Sequence, residues 1–229
     1  MTMKSAFSHS KSIITVFSDG LRNEDFDTVY PKISKIQSFV GGINTKLPLP
    51  KDAPEEIPRI IVKSADDKIN CQIGPQKIQI EWVPDAFQDT NAAVGLASQI
   101  LEQAIESSVI SRVGNIKEYV LEVGPKQSFT SFLRPGILEN LKTLEAFSFD
   151  LTLKDQISGS DGKQIQCNRF ARLVSATRDI DKQKLIVVMI DFNTRPEEQL
   201  FWNIANFREF IGTSEDKLQY QDIMGEMLK

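Results

Sequence analysis

The residues able to do proton or metal chemistry are few, and their placement sets the first limits. The 229 residues include one histidine, His9. Histidine is the side chain best matched to proton transfer near neutral pH and the commonest metal ligand. His9 lies in a Ser-rich polar start that reads as a mobile arm over residues 1–11. Neither a histidine-based triad nor a Cys/His zinc site is expected. The two cysteines, Cys71 and Cys167, are in phase with isoleucines (Ile69-Cys71-Ile73 and Ile165-Cys167). A thiol in such a position packs as a small hydrophobe, and two cysteines without local spacing make no disulfide framework. The chain has no P-loop, no G-x-S-x-G elbow and no kinase signature set. No cofactor and no metal are expected.

Three groups of residues keep some chemical promise. Asp150 and Asp191, with Glu145 or Asp155, could hold a divalent cation as in metal-dependent phosphodiesterases and nucleases. That use requires the Asp150 and Asp191 carboxylates to come within about 5 Å of each other. Against it, Asp150 alternates with Phe149 and Leu151 and should face water, and Asp191 ends a strand. Arg169 is in phase with Ile165 and Cys167, so its guanidinium points to the core face and needs a carboxylate such as Asp150, Asp191 or Glu118. With Arg172 it could instead form a small-anion pocket. Phe201, Trp202 and Phe210 widen the apolar stripe of the last long helix beyond what one sheet face needs, which fits either deep burial or a partner surface.

The elements that must position these groups are legible from periodicity. The composition is that of an ordinary globular protein, with 41% hydrophobic and 25% charged residues. The net charge of −4 argues against nucleic acid or anionic membrane as a partner. The longest aliphatic run, Leu185 to Ile190, is too short for the roughly 20 residues that span a bilayer. Reduced cysteines and the lack of an apolar leader fit a cytoplasmic protein.

A first strand is expected over residues 12–18. A helix opened by Pro31 follows, carrying Ile33, Ile36 and Val40, and Gly41-Gly42 stops it. Four prolines between residues 43 and 58 imply an extended connector. Three strands follow, the clearest being Lys77 to Trp82 with strict period-two alternation. Asp89-Thr90-Asn91 supply cap residues for a helix from about Ala92 to Ser107. The second half repeats the order. A strand runs from Gly114 to Val123 and a helix from Pro135 to Leu144. Strands follow around Phe147 to Leu153, from Gln164 to Ser175 and from Leu185 to Phe192, the last covered on both faces. A helix beginning near Thr194 and Pro196 is stopped by Gly212, and Thr213 restarts a short terminal one. The expected class is α+β in two lobes, residues 12–108 and 109–229, each an antiparallel meander covered by helices. The repeated order suggests internal duplication.

The chain resembles a family of sporadically distributed prokaryotic proteins of uncharacterised function. The resemblance is carried by Ile13 to Phe17, Leu47-Pro48, Ile57-Pro58-Arg59-Ile60, and Gln72-Ile73-Gly74-Pro75 leading into Ile78 to Trp82. Asp191-Phe192, Trp202 and Phe207 extend it. The second strand of the second half departs from that family in lacking its aromatic and asparagine pattern. The resemblance implies the α+β fold and no reaction. It also implies an accessory role, as in defence or toxin–antitoxin loci. The leading expectation is a non-enzymatic protein that binds another protein or its own copy. The alternatives are the metal-dependent nuclease and the anion sensor described above.

Overall fold

The computed structural model describes residues 7–50, 52–105, 110–123, 148–158, 162, 164–195 and 204–221. Nine strands form one antiparallel sheet: β1 (Ser8–Phe17), β2 (Asn44–Lys46), β3 (Ile60–Lys63), β4 (Ile69–Ile73), β5 (Lys77–Trp82), β6 (Arg112–Glu122), β7 (Ser148–Ser158), β8 (Gln164–Thr177) and β9 (Lys184–Thr194). Their order across the sheet is β2-β3-β4-β5-β1-β6-β9-β8-β7. The α+β class therefore stands, with one continuous sheet in place of two separate ones. Each half folds its meander back so that the last strand pairs with the first: β5 with β1, and β9 with β6. β1 and β6 then pair with each other.

Three helices, α1 (Phe26–Ile33), α2 (Thr90–Ala104) and α3 (Ile204–Lys217), cover one face, with α2 packed between α1 and α3. The face they cover follows from alternation. Val62, Cys71, Ile80, Ile14 and Phe192 share one cross-strand row with Asn115, and these side chains are buried. The intervening residues, such as Lys77, Gln79 and Glu81, are only partly buried on the opposite face, the helix-free one among the described residues. Of the three candidate cap residues Asp89 is the cap of α2, its Oδ1 accepting the Ala92 N–H at 2.9 Å, and Thr90 and Asn91 are already helical. Val94, Ala97, Leu101 and Ala104 form its buried stripe.

Several expectations are corrected. β1 starts at Ser8, so His9 is in a strand and not in a mobile arm. The first helix starts at Phe26, where the Asp25 carboxylate caps the Asp27 N–H, and Pro31 lies inside its last turn. Pro31 lacks the N–H that would reach back to the Asp27 carbonyl and its ring crowds that carbonyl, and the helix ends two residues later. Val40 is exposed. Gly41 has φ +80°, and a Cβ on Gly42 would lie within 1.9 Å of the Lys63 carbonyl oxygen, so a turn and a close approach require this glycine pair. The connector contributes β2, a three-residue edge strand. β9 is buried on one face and only partly on the other. Thr194 ends β9 rather than opening a helix, and its Oγ1 accepts the Val113 N–H at 3.1 Å. α3 runs through Gly212 without a break, and Ser214 in its interior donates to the Ile211 carbonyl. The helix expected over residues 135–144 lies outside the described residues.

Phe39, Phe192, Phe207 and Phe210 are the largest wholly buried side chains, and Phe192 meets Phe210 with ring centroids 5.7 Å apart. Phe192→Ala is expected to cost about 3–5 kcal/mol of unfolding free energy, read as a lower urea midpoint at unchanged slope.

Candidate functional site

The expected site residues fall in different places. His9 is on the helix face opposite Tyr119, with the two rings 5.3 Å apart. Its Nε2 is 2.9 Å from Ser12 Oγ and 3.1 Å from the Lys11 carbonyl oxygen. A histidine and a serine are thus adjacent, but Ser12 is only 2% exposed, which closes its hydroxyl to a substrate. The pair lies beside a hydrogen-bond network that docks α3, which it meets through the Tyr119 ring. Asn115 Nδ2 donates to Ser214 Oγ (2.8 Å) and to Glu215 Oε1 (3.1 Å), Lys117 donates to Glu215 Oε2, and the Tyr119 hydroxyl donates to the Leu218 carbonyl. Burial and the neighbouring Glu215 charge push the Tyr119 phenol up to about 12. The Cys71 and Cys167 thiols are buried, and burial raises the Cys71 thiol far above its ordinary range. A protonated, enclosed thiol is a poor nucleophile.

The two aspartates of the nuclease expectation are on the same helix-free face but well apart. Asp150 of β7 is opposite Arg172, and Asp191 of β9 is opposite Phe170, two residues along β8. Strand spacing puts their Cα atoms roughly 12 Å apart, too far for one metal to bridge. Asp150 is held by a bidentate pair with Arg172 (2.8 and 2.9 Å), which lowers the carboxyl below its ordinary range. Burial raises the Asp191 carboxyl, partly offset by Asn193 and Arg112. Asp155 is on the opposite face, and Glu145 lies outside the described residues. Among the described residues no three His, Cys, Asp or Glu side chains gather into a metal-holding group.

The arginines of the anion expectation are also separated. Arg169 points to the helix face, with its Nε 3.9 Å from Asp155, which also receives Lys217 at 3.4 Å. The expected carboxylate partner exists, but it is Asp155. Arg172 points to the helix-free face, so the two guanidiniums cannot close on one anion. Of the aromatic trio, Phe210 is 1% exposed and belongs to the core, not to an interface. Phe201 and Trp202 lie outside the described residues.

A feature that the sequence reading missed lies at the rim of the sheet. β7 is an eleven-residue edge strand without proline. Its hydrogen-bonding phase follows from its neighbours. The Arg178 N–H donates to the Gln183 carbonyl and the Arg195 N–H to the Gln166 carbonyl, so even-numbered residues of β8 bond towards β9. The odd-numbered residues of β8 bond towards β7, where the register sets Leu151 against Ala171 and Leu153 against Arg169. The even-numbered amides of β7, at Asp150, Thr152, Lys154 and Gln156, therefore point outward. The Gln156 N–H agrees, since its partner is the Asp155 carboxylate. Leu151 and Leu153 are half-buried on the helix face, while Asp150, Thr152 and Lys154 are exposed on the other.

A cleft of about 550 Å³ is lined by Arg22, Lys46, Glu55, Arg59 and Pro75, among others. Its cations are already engaged: Arg22 with Glu55 at 3.2 Å, Lys46 with Asp27, and Arg59 with the Ala53 carbonyl at 2.8 Å. In comparisons with known proteins, no family model matches the chain and no curated protein matches it. No helix among the described residues is long and apolar enough to cross a membrane.

Burial and the Lys117 charge hold the His9 imidazole below its ordinary pKa of 6.5. The unfolded chain then takes up a proton that the folded chain refuses as pH falls through about 6.5. Stability is therefore expected to drop from about pH 7.5 to about pH 5.5 more in the wild type than in His9→Gln. Urea unfolding at the two pH values measures the difference, and parallel losses would show that His9 does not titrate this way.

Proposed function

We propose that this chain works by binding another protein chain through the outer edge of β7, and not by turning over a substrate. The observation that carries the reading is the edge itself. Eleven residues of extended backbone present alternate N–H and C=O groups outward, with no further strand beside them among the described residues. Such an edge is a template for strand addition, in which main-chain bonds supply affinity and alternate side chains supply specificity. The separation of Asp150 from Asp191 weighs against the nuclease alternative, and the opposite faces of Arg169 and Arg172 weigh against the anion sensor.

We extend the proposal to a cytoplasmic accessory role of the kind implied by the resemblance to sporadically distributed prokaryotic proteins. The matching strand order of the two halves, with the last meander strand beside the first, supports a reading of the fold as two fused copies of one α+β unit.

Thr152→Pro tests the contact surface. The Thr152 N–H points away from β8, so proline removes an outward donor and no ladder bond, and proline is tolerated in that setting. The variant is expected to keep the wild-type circular dichroism spectrum and to lose a partner that wild-type bait recovers from source cells. Lys46→Pro on the opposite edge strand, where the odd-numbered residues of β2 bond β3 and the Lys46 N–H points outward, should retain that partner. Equal recovery by all three baits would move the contact elsewhere.

A further inference from the structure

The β7 edge is self-complementary, and we infer that its partner is a second copy of this chain, paired antiparallel about a twofold axis through Thr152. The inference rests on the reading of that edge as the contact surface and names its occupant. The strand reads Asp150-Leu151-Thr152-Leu153-Lys154 around its middle. An antiparallel pairing centred on Thr152 sets Thr152 against the partner's Thr152, Leu151 against the partner's Leu153, and Asp150 against the partner's Lys154. Symmetry doubles each of the last two pairs.

The backbone phase permits this register. Even-numbered amides point outward, so Thr152 and its symmetry mate would exchange both N–H···O bonds, with Cα atoms about 5.5 Å apart. A twofold perpendicular to the sheet keeps the faces in register. The leucines meet on the helix side, where each is now only half-buried, and the charges meet on the helix-free side. Lys154 is exposed and makes no ion pair among the described residues, whereas Asp150 already holds Arg172. Pairing would build a row of Arg172, Asp150 and the partner's Lys154.

The charges also select the register. Moving the twofold axis by one residue in either direction leaves both charges without an opposite partner. Moving it by two sets Asp150 against the partner's Asp150, or Lys154 against the partner's Lys154, and directly opposed like charges are unfavourable. Of these five registers, only the one centred on Thr152 gives both charges an opposite partner.

The test uses the full chain in sedimentation equilibrium at micromolar concentration, with two charge variants. Wild type is expected to be a dimer. Lys154→Asp alone and Asp150→Lys alone each replace two attractive pairs with two repulsive ones, and each should weaken dimerisation at least ~10-fold. An equimolar mixture of the two variants restores both opposite-charge pairs and should form a heterodimer. Circular dichroism checks that each variant is folded. As an independent measurement, Thr152→Cys should form a disulfide-linked dimer under mild oxidation, since about 5.5 Å suits the bond and Cys71 and Cys167 are buried. Ser148→Cys should not, because its symmetry mate lies roughly 27 Å away along the strands.

A monomeric wild type with uncrosslinked Thr152→Cys overturns the inference, as does a dimer indifferent to both charge changes. Adding a synthetic peptide of residues 148–158 to such a monomer separates the two readings. If the peptide binds and Thr152→Pro abolishes its binding, the edge remains a contact surface and only self-pairing fails. If no binding occurs, the edge reading fails as well.

Discussion

The pairing of β1 with β6 is the contact on which the rest of the structure depends. Without it the chain would carry two small sheets, each with an exposed central edge. With it, the residues of the two halves line up in common rows. Ile14 is the hinge of one such row, with Ile80 on one side and Asn115 on the other. The same row continues through Phe192, which fills the floor beneath α3. A continuous antiparallel sheet with one helical layer needs only one apolar face, and period-two alternation along β3, β4 and β5 supplies it.

The seam is not wholly apolar. Ser12, Asn115 and Lys117 all face the helices at the centre of the sheet, where buried polar groups without partners are costly. The end of α3 answers that cost: Ser214 and Glu215 reach back to Asn115 and Lys117 across about a hundred residues of sequence. This explains why α3 continues past Gly212. A helix ending there would carry Ser214 and Glu215 away from the seam, and Asn115 and Lys117 would lose their partners. Gly212 sits on the exposed side, and a Cβ there would meet nothing, so the glycine is a tolerated cost in helix propensity and not a stop. The network also favours one docking of α3, because few helix positions could accept from the Asn115 Nδ2 amide and the Lys117 ammonium at once.

Most strands were legible in the sequence, β2 in the proline-rich connector excepted, and their order was not. Alternation of apolar and polar residues is a local signal, so β5, β8 and the stripe of α2 could be read residue by residue. Which strand borders which is decided by contacts between distant segments, and no local pattern reports them. His9 shows the consequence. A polar, Ser-rich start looks like an arm until Tyr119 and Val120 are found beside it. The separation of Arg169 from Arg172 was available earlier. Three residues apart in a strand means opposite faces, and the phase assigned to Arg169 already implied it. The symmetric run from Asp150 to Lys154 was equally visible as sequence, but its meaning needed the edge position of β7 and the phase of its amides. Neither can be read without knowing that β8 lies on one side only.

The two edges of the sheet are treated differently, and the difference bears on function. At one end, β2 is three residues long and is followed by Pro48, Pro50, Pro54 and Pro58, so little backbone is left for another strand to pair with. At the other end, β7 has eleven residues and no proline. Natural sheets blunt exposed edges because an unprotected one pairs indiscriminately. β7 carries a milder protection on its exposed side chains, Asp150 and Lys154, placed symmetrically about Thr152. Charges so placed disfavour an incoming strand through repulsion or through loss of solvation without a partner. One edge is thus short and bounded by prolines, while the other is long and carries one charge of each sign among its exposed side chains.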